Sequence, residues 1–246
     1  FLKIEHGPEK RTGNLLPLAK RGQTQKTTIL AGFACWVATR LAKRNTSAHR
    51  MRIIGGIAGG MTLKVPKGLG VRPTPDKVRL AIFNSLGPTV EDARVLEVFA
   101  GTGALGLEAL SRGAASALFV ELSPKHARVM QQNFKTLGQA LGQARFSVED
   151  AFTALGQLRE RGEQFDLIFA DPPYGEKNIN NRSESFAQQM LDDANLPALL
   201  TTGGRLILGH TKRDTLDYVE PWELKKTLKH GDTLIDMLRL AKRDDA

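Results

Sequence analysis

The chain has 246 residues, 41% hydrophobic and 25% charged, which is the composition of an ordinary globular protein and excludes a disordered chain or a disulfide-stapled mini-protein. No apolar run approaches the roughly 18 residues of a membrane-spanning helix; the longest, Ile29–Ala38, is ten residues and contains Gly32 and Cys35. The formal charge of +9 points to a polyanionic partner, but ten Lys and Arg against two acids fall in residues 1–50, leaving 25 against 24 for the rest.

Residues 1–50 open on Phe1 and keep no sustained helical or strand period. Three readings compete: sequence upstream of a true start at Met51, a basic organelle-targeting or secretory leader, or a disordered RNA-binding arm. A secretory signal places its apolar core near its basic start, whereas 28 residues precede Ile29, so the expectation is a native domain that begins at Met51. Cys35 is the single cysteine and the five histidines show no H-E-x-x-H spacing. A metal-free fold, without disulfides and in a reducing cytoplasm, is expected.

From Met51 the pattern is clean. Short β-prone pieces at Ile53–Ile57 and Met61–Val65, separated by Gly59-Gly60, predict a small ribbon. Then comes Arg72-Pro73-Thr74-Pro75-Asp76, followed by Val78, Ile82 and Leu86 at i, i+4 and i+8. This predicts a helix capped by Thr74, with Pro75 at its first position and Gly87 at its stop. Residues 51–90 hold six basic residues (Arg52, Lys64, Lys67, Arg72, Lys77, Arg79) against Asp76 alone, while residues 91–246 hold 19 against 23 acids. Phosphate contacts give a nucleic-acid-binding protein its affinity and position, so this basic extension is the segment expected to dock a polyanion such as a nucleic acid, through Arg52, Lys64, Arg72, Lys77 and Arg79. Its competing reading is a solvated helix face, with Arg72 and Thr74 belonging to a lid on a cofactor pocket.

After residue 90, strands at 95–99, 117–121, 144–148 and 166–170 alternate with helices at 104–111, 124–137 and 151–159. A helix at 185–194, a strand at 205–208 and two β-prone runs at 224–229 and 233–240, able to form a hairpin, close the chain. Such alternation implies an α/β fold with a parallel, doubly wound sheet. The domain is expected to be single over 51–246, with a basic extension (51–90) on a Rossmann-like core (91–246).

The strand-to-turn sequence Glu97-Val98-Phe99-Ala100-Gly101-Thr102-Gly103 opens a helix. A dinucleotide turn would seat pyrophosphate on that helix N-terminus; the acid Glu97 inside the strand repels phosphate and suits a cationic ligand with an amine, such as S-adenosylmethionine. Gly101, Thr102 and Gly103 are then cofactor-binding positions. Glu121 ends the next strand, 18 residues after Gly103, where a carboxylate accepts both hydroxyls of a ribose. Asp150 follows the third strand, placed to accept from an adenine amine. Each acid alone is weak evidence; three at the ends of successive strands outline an adenosine pocket.

Asp171-Pro172-Pro173-Tyr174 directly follows the fourth strand. A proline-rich turn accounts for the prolines but not for an acid and an aromatic flanking them. The lone pair of an exocyclic base amine is delocalised into its ring; the Asp171 carboxylate and the Pro172 carbonyl can accept its two N–H bonds and steer that lone pair toward an electrophile. Tyr174 can stack on the base, a contact of roughly 1–3 kcal/mol. Asp171, Pro172 and Tyr174 are therefore the expected catalytic residues.

The glycine motif with D-P-P-Y resembles the Rossmann-like S-adenosylmethionine methyltransferases that modify amino nitrogens. More closely, R-I-I-G-G-I-A-G-G at 52–60, R-P-T-P-D-K-V-R-L-A-I-F-N-S-L at 72–86, V-L-E-V-F-A-G-T-G-A-L-G-L-E-A-L-S-R-G-A at 95–114 and D-P-P-Y at 171–174 resemble the bacterial 16S rRNA guanine-N2 methyltransferases of the RsmD type, over Met51 to about Leu240. The resemblance implies a seven-stranded, mostly parallel sheet with an antiparallel last strand and helices on both faces. It also implies methyl transfer from S-adenosylmethionine to N2 of one guanine of 16S rRNA, within the small ribosomal subunit or its assembly intermediate, by a cytoplasmic enzyme expected to be a monomer. The chain departs from the family at Glu97, where Asp is usual, and at Gly209-His210, where an acid is common.

Other substrates fit the same pocket. Adenine N6 and a protein glutamine amide are the alternative amines, although the glutamine enzymes favour Asn where Asp171 stands and a DNA enzyme needs a target-recognition insert. A non-catalytic RNA-binding assembly factor is the reading outside enzymes. Covalent pyrimidine-C5 chemistry is excluded, because it needs a cysteine nucleophile and Cys35 lies in the leader.

Overall fold

The computed structural model describes residues 51–66, 74–138, 141–174 and 183–241. The leader and Arg72 lie outside them. Residues 50–246 form one compact unit. Its centre is a seven-stranded sheet: β1 (Arg94–Val98), β2 (Ser116–Val120), β3 (Gln143–Ser147), β4 (Phe165–Ala170), β5 (Leu200–Thr211), β6 (Trp222–His230) and β7 (Thr233–Leu240). The order is β3-β2-β1-β4-β5-β7-β6. Strands β1 to β5 run parallel, and β7 lies antiparallel between β5 and β6. The helices are α1 (Asp76–Leu86), α2 (Ala104–Ser111), α3 (Pro124–Leu137), α4 (Ala151–Glu160) and α5 (Phe186–Asp192). Among the described residues no helix is long and apolar enough to cross a membrane.

Side chains alternate across each strand, and the two faces of the sheet hold separate cores. Val95, Phe119, Leu167, Phe169, Ile207 and Met237 pack with residues of α1, α2 and α3. Leu96, Val98, Val120, Ile168, Leu206 and Leu238 pack with α4 and α5. Glu97 falls on the first face, in register with Val95, and is the one acid among the buried residues of β1. The sheet order reverses between β1 and β4, and that switch point is where an open α/β sheet leaves a crevice at its carboxyl edge.

Local signals start the helices that flank this crevice. The Ser123 hydroxyl accepts from His126 N at the head of α3, with Pro124 at the first position, and Asp150 Oδ1 accepts from Phe152 N and Thr153 N, both at 3.0 Å, at the head of α4.

Three expectations need correction. The N-terminal ribbon reduces to a single antiparallel bridge, Arg52 to Thr62, because residues 54–58 spend their polar groups on α2 instead: Ile54 N and Gly55 N donate to Glu108, Ile57 N to Ser111 O and Ala58 N to Ser111 Oγ. Thr74 does not cap α1; Pro75 occupies the cap position without a side-chain bond, and the Thr74 hydroxyl is turned to Asp171. Strand β5 begins at Leu200, five residues before the expected start, because Leu200 already pairs with Phe165 of β4; residues 201–204 then bulge out before pairing resumes at Arg205 opposite Leu167.

Candidate active site

The carboxyl edge of the sheet opens into a cavity of about 560 Å³, within the range of small-molecule sites. Of the expected cofactor residues, Glu97, Gly101, Thr102, Glu121 and Asp150 line it, as do the expected catalytic residues Asp171, Pro172 and Tyr174. Residues far apart in sequence thus meet in one crevice. Gly103 lies just behind it, at the head of α2.

Glu97 sits at the floor. Its Oε1 accepts from Leu105 N at 3.2 Å and its Oε2 from Gly106 N at 2.8 Å, both in the first turn of α2. Gly106 allows this approach: a Cβ there would stand 2.8 Å from Glu97 Oε2 and 2.4 Å from the Phe119 ring. Burial pushes the Glu97 carboxyl up to about 8 against those two backbone bonds, and Asp171 pushes in the same direction. A buried acid held in this way favours a cation beside it.

Glu121 ties two turns together. Its Oε2 accepts from Gly101 N at 2.7 Å and its Oε1 from Ser123 N at 2.8 Å, while His126 Nδ1 stands 3.3 Å from Oε1. The β1–α2 and β2–α3 turns are therefore braced by the same carboxylate that the sequence assigns to a ribose. Asp150 faces the cavity while serving as the cap of α4, with both bonds taken by Oδ1.

Asp171 follows β4 at the opposite wall. Burial raises its pKa, and a hydrogen bond from Thr74 Oγ1 to Oδ2, at 2.6 Å, opposes that rise. Its other oxygen lies over Gly209 of β5, where a Cβ would come within 2.3 Å of Oδ1. The glycine at this departure from the family pattern thus makes room for the Asp171 carboxylate. The next residue, His210, is buried and bonded through Nε2 to Asp236 Oδ2 at 2.8 Å. Tyr174 is 44% exposed, with its hydroxyl 3.2 Å from Thr233 Oγ1.

The sequence reading missed an apolar wall. Phe99, Leu122 and Phe186 line the cavity, and the Phe99 ring meets Phe152 edge-on at 6.2 Å and Phe186 at 5.7 Å. Phe99 adopts φ 55°, a left-handed conformation rare for a bulky residue and of the kind that clusters at ligand sites. Its place inside the glycine motif was the available signal. Leu122 is 67% exposed.

The basic extension divides. Arg52 and Lys77 are exposed, Arg52 in a surface ion pair with Asp76 at 3.3 Å, and Lys64 is exposed with its backbone held by Asn133. Arg79 cannot dock RNA as expected, because it is fully buried: Nη2 donates to Arg52 O at 2.6 Å and Asp76 Oδ1 at 2.8 Å, and Nη1 lies 3.8 Å from Glu108. The signal for this was present, since Arg79, Ile82, Phe83 and Leu86 share the i, i+3, i+4, i+7 stripe that turns to the core.

Comparison with known proteins adds to this geometry. The model of the family described as Conserved hypothetical protein 95 matches residues 51–239. YlbH of Bacillus subtilis is 42% identical over 129 residues, which span 52% of this chain and 70% of YlbH. Ribosomal RNA small subunit methyltransferase D of Escherichia coli K12 is 42% identical over 130 residues, 53% of this chain and 63% of that enzyme, so the match spans just under two thirds of its length. The solved structure of the Escherichia coli protein yhhF superposes with a TM-score of 0.63 at 32% identity, covering 79% of this chain and 99% of that one.

Proposed function

This chain belongs to the Conserved hypothetical protein 95 family, and we propose that it is an S-adenosylmethionine-dependent rRNA methyltransferase that methylates the exocyclic N2 amine of a guanine in 16S rRNA, within the small subunit or its assembly intermediate. The single observation that carries this reading is the convergence of Glu97, Glu121 and Asp150 on one side of a cavity and Asp171-Pro172 on the other. The name of the Escherichia coli relative supports rRNA of the small subunit as the substrate.

The residues fit the cofactor. Glu97 is a buried acid pushed up to about 8 and, among the described residues, forms no ion pair, although Arg79 acts on it from a distance, so an amine of the cofactor would restore its charge. Glu121 would take the ribose hydroxyls, Asp150 the adenine amine, and Gly101, Thr102 and Gly103 the backbone turn around them. When bound, the cofactor supplies an electrophilic methyl on its sulfonium.

Asp171 and the Pro172 carbonyl would accept the two N–H bonds of the guanine amine and aim its lone pair at that methyl. On accepting the methyl, N2 would gain positive charge, which the Asp171 carboxylate would stabilise before the proton leaves to it or to water. Tyr174 would stack on the base, and Arg52, Lys64, Arg72 and Lys77 would contact phosphates. Alignment, rather than a strong base, is the main source of rate.

The test uses the full chain with S-adenosylmethionine and unmethylated small subunits, the RNA then digested and its nucleosides identified by mass spectrometry. N2-methylguanosine is expected from the wild type. Asp171→Asn is expected to lower kcat by at least 100-fold while leaving cofactor affinity within about threefold. A fully active Asp171→Asn enzyme refutes the mechanism, and methylation of adenine or of a protein amide refutes the substrate.

A further inference from the structure

The sheet topology brings a second group of basic residues to the mouth of the cavity. Strand β5 runs parallel to β4, so Thr211 ends at the edge from which Asp171-Pro172-Pro173-Tyr174 leaves. Strand β7 returns antiparallel, pairing Thr233 with Thr211, and His230 at the end of β6 pairs with Thr233. Lys212 and Arg213 after β5, and Lys229 next to the end of strand β6, therefore stand at the same edge. The Tyr174–Thr233 contact at 3.2 Å joins this edge directly to the proposed base-stacking residue.

The chemistry of this edge is unlike that of the rest of the strand. An exposed edge strand carries lysines to discourage pairing with another chain, and Lys225 and Lys226 in the middle of β6 fit that role. They are engaged locally, Lys225 with Glu223 and Lys226 with Ser85 Oγ at 2.8 Å. Lys212 has Asp232 at 2.5 Å in an exposed pair, worth little in water and open to exchange for a phosphate. Arg213 and Lys229 are exposed and, among the described residues, have no carboxylate partner. Across the cavity the rim is acidic, with Glu121, Glu149 and Asp150. The mouth thus carries carboxylates over β1 to β3, and over β5 to β7 the exposed cations Lys212, Arg213 and Lys229, of which Lys212 is paired with Asp232.

We propose that Arg213 and Lys229, aided by Lys212, form a second phosphate-binding surface that holds the RNA strand next to the target base. The inference rests on the methyl-transfer reading and extends it, because it places RNA on both sides of Asp171-Pro172-Pro173-Tyr174: the N-terminal extension on one, the C-terminal hairpin on the other. A base turned out of its helix needs its flanking phosphates fixed, and two separated contact sets do this better than one.

The experiment compares the wild-type full chain with Arg213→Glu/Lys229→Glu, and with Lys135→Glu on the exposed far end of α3 as a control for charge alone. Small subunits lacking the methyl group serve as substrate, and binding to them is measured directly across a salt series. For the double variant we expect KM for the subunit to rise at least tenfold, kcat at saturating subunit to stay within about twofold, and cofactor affinity to be unchanged. The slope of log affinity against log salt should flatten by about 1.4–1.8, the value for two lost phosphate contacts. Lys135→Glu should change none of these. An unchanged KM and slope in a folded double variant, or an equal change in Lys135→Glu, overturns the proposal. Arg213→Ala/Lys229→Ala provides the same reading if charge reversal impairs folding. A wild type that binds subunits but methylates nothing refutes the methyl-transfer reading instead, and the binding comparison still decides the role of this surface.

Discussion

Thr74 and Asp171 are 97 residues apart, yet one short hydrogen bond makes them a unit. Asp171 must be ionised to accept from an amine, and its burial works against ionisation while the Thr74 hydroxyl works for it. The other charged group set against it is Glu97, which adds to the opposition when ionised. Thr74→Val keeps the shape and removes the donor, so the Asp171 pKa should climb further and the acid limb of the kcat profile should move to higher pH. Bonds to charged groups contribute about 1.5–3 kcal/mol, so a loss of roughly tenfold or more in kcat/KM is expected at acid pH, shrinking as pH rises. Thr74→Ser should restore the wild-type profile. A uniform loss at every pH would show a merely structural role. Glu97 gives a second pH signature. Below about 8 the free protein holds its proton, and a cationic cofactor must displace it, so affinity should fall as pH drops and binding at pH 7 should release a proton. Calorimetry in two buffers of different ionisation enthalpy measures that release; none at all would mean Glu97 does not meet the cofactor amine. The same shift makes the unliganded fold less stable as pH rises from 4.5 to about 8, since over that window the folded state keeps a proton that the unfolded chain has lost.

At the scale of elements, the extension is anchored by a polar post rather than by a sheet. Glu108 on α2 is fully buried and accepts from Ile54 N at 2.7 Å, Gly55 N at 2.9 Å and Arg112 Nε at 2.7 Å, with Arg79 alongside. Removing one partner of a buried ion pair leaves the other uncompensated and costs about 3–5 kcal/mol. Glu108→Ala should accordingly lower the melting temperature by on the order of 10 °C for a domain of this size, with Glu108→Gln, which keeps an acceptor, losing less; an unchanged melt would show that the extension is held by apolar contacts alone. This anchor explains what the sequence could not display. Alternating strands and helices were legible because each buries a periodic face; α2, α3 and β7 stand at their expected residues. The expected ribbon is present but short, pairing residues 51–53 with 61–63, because Ile54–Ala58 bonds across to α2, a partner about fifty residues away, and nothing in a local β-prone run reveals a distant acceptor. Arg79 was misread for a related reason: charge outweighed a helical position that places it inward. The pocket acids were legible, since strand ends are where this sheet class binds, whereas Thr74 and Gly209 became visible as neighbours of Asp171 only once the chain had folded.

At the scale of the whole molecule, the net charge misleads, and its division across one sheet edge matters more. In the proposed function, the acidic rim over β1 to β3 and the exposed cations Lys77 on α1, Lys212 and Arg213 after β5 and Lys229 on β6 would hold the two reactants on opposite sides of one cavity. Their attraction should respond differently to salt. Phosphate contacts release condensed counterions, so RNA affinity follows salt steeply; about six contacts on a single strand would cost roughly 300-fold between 50 and 200 mM. The carboxylates proposed to hold the cofactor lie within the cavity, Glu97 almost fully buried and Glu121 nearly so, where ions screen poorly. Cofactor affinity should therefore change by less than about threefold over the same range. Titrating each ligand separately across that series measures both slopes. Equal slopes would mean that the cofactor is drawn by the same exposed charge as the RNA and that the division has no functional effect. A steep slope for RNA beside a flat one for cofactor is expected if the fold uses the antiparallel return of β7 to bring cations back to the edge its parallel strands have filled with acids.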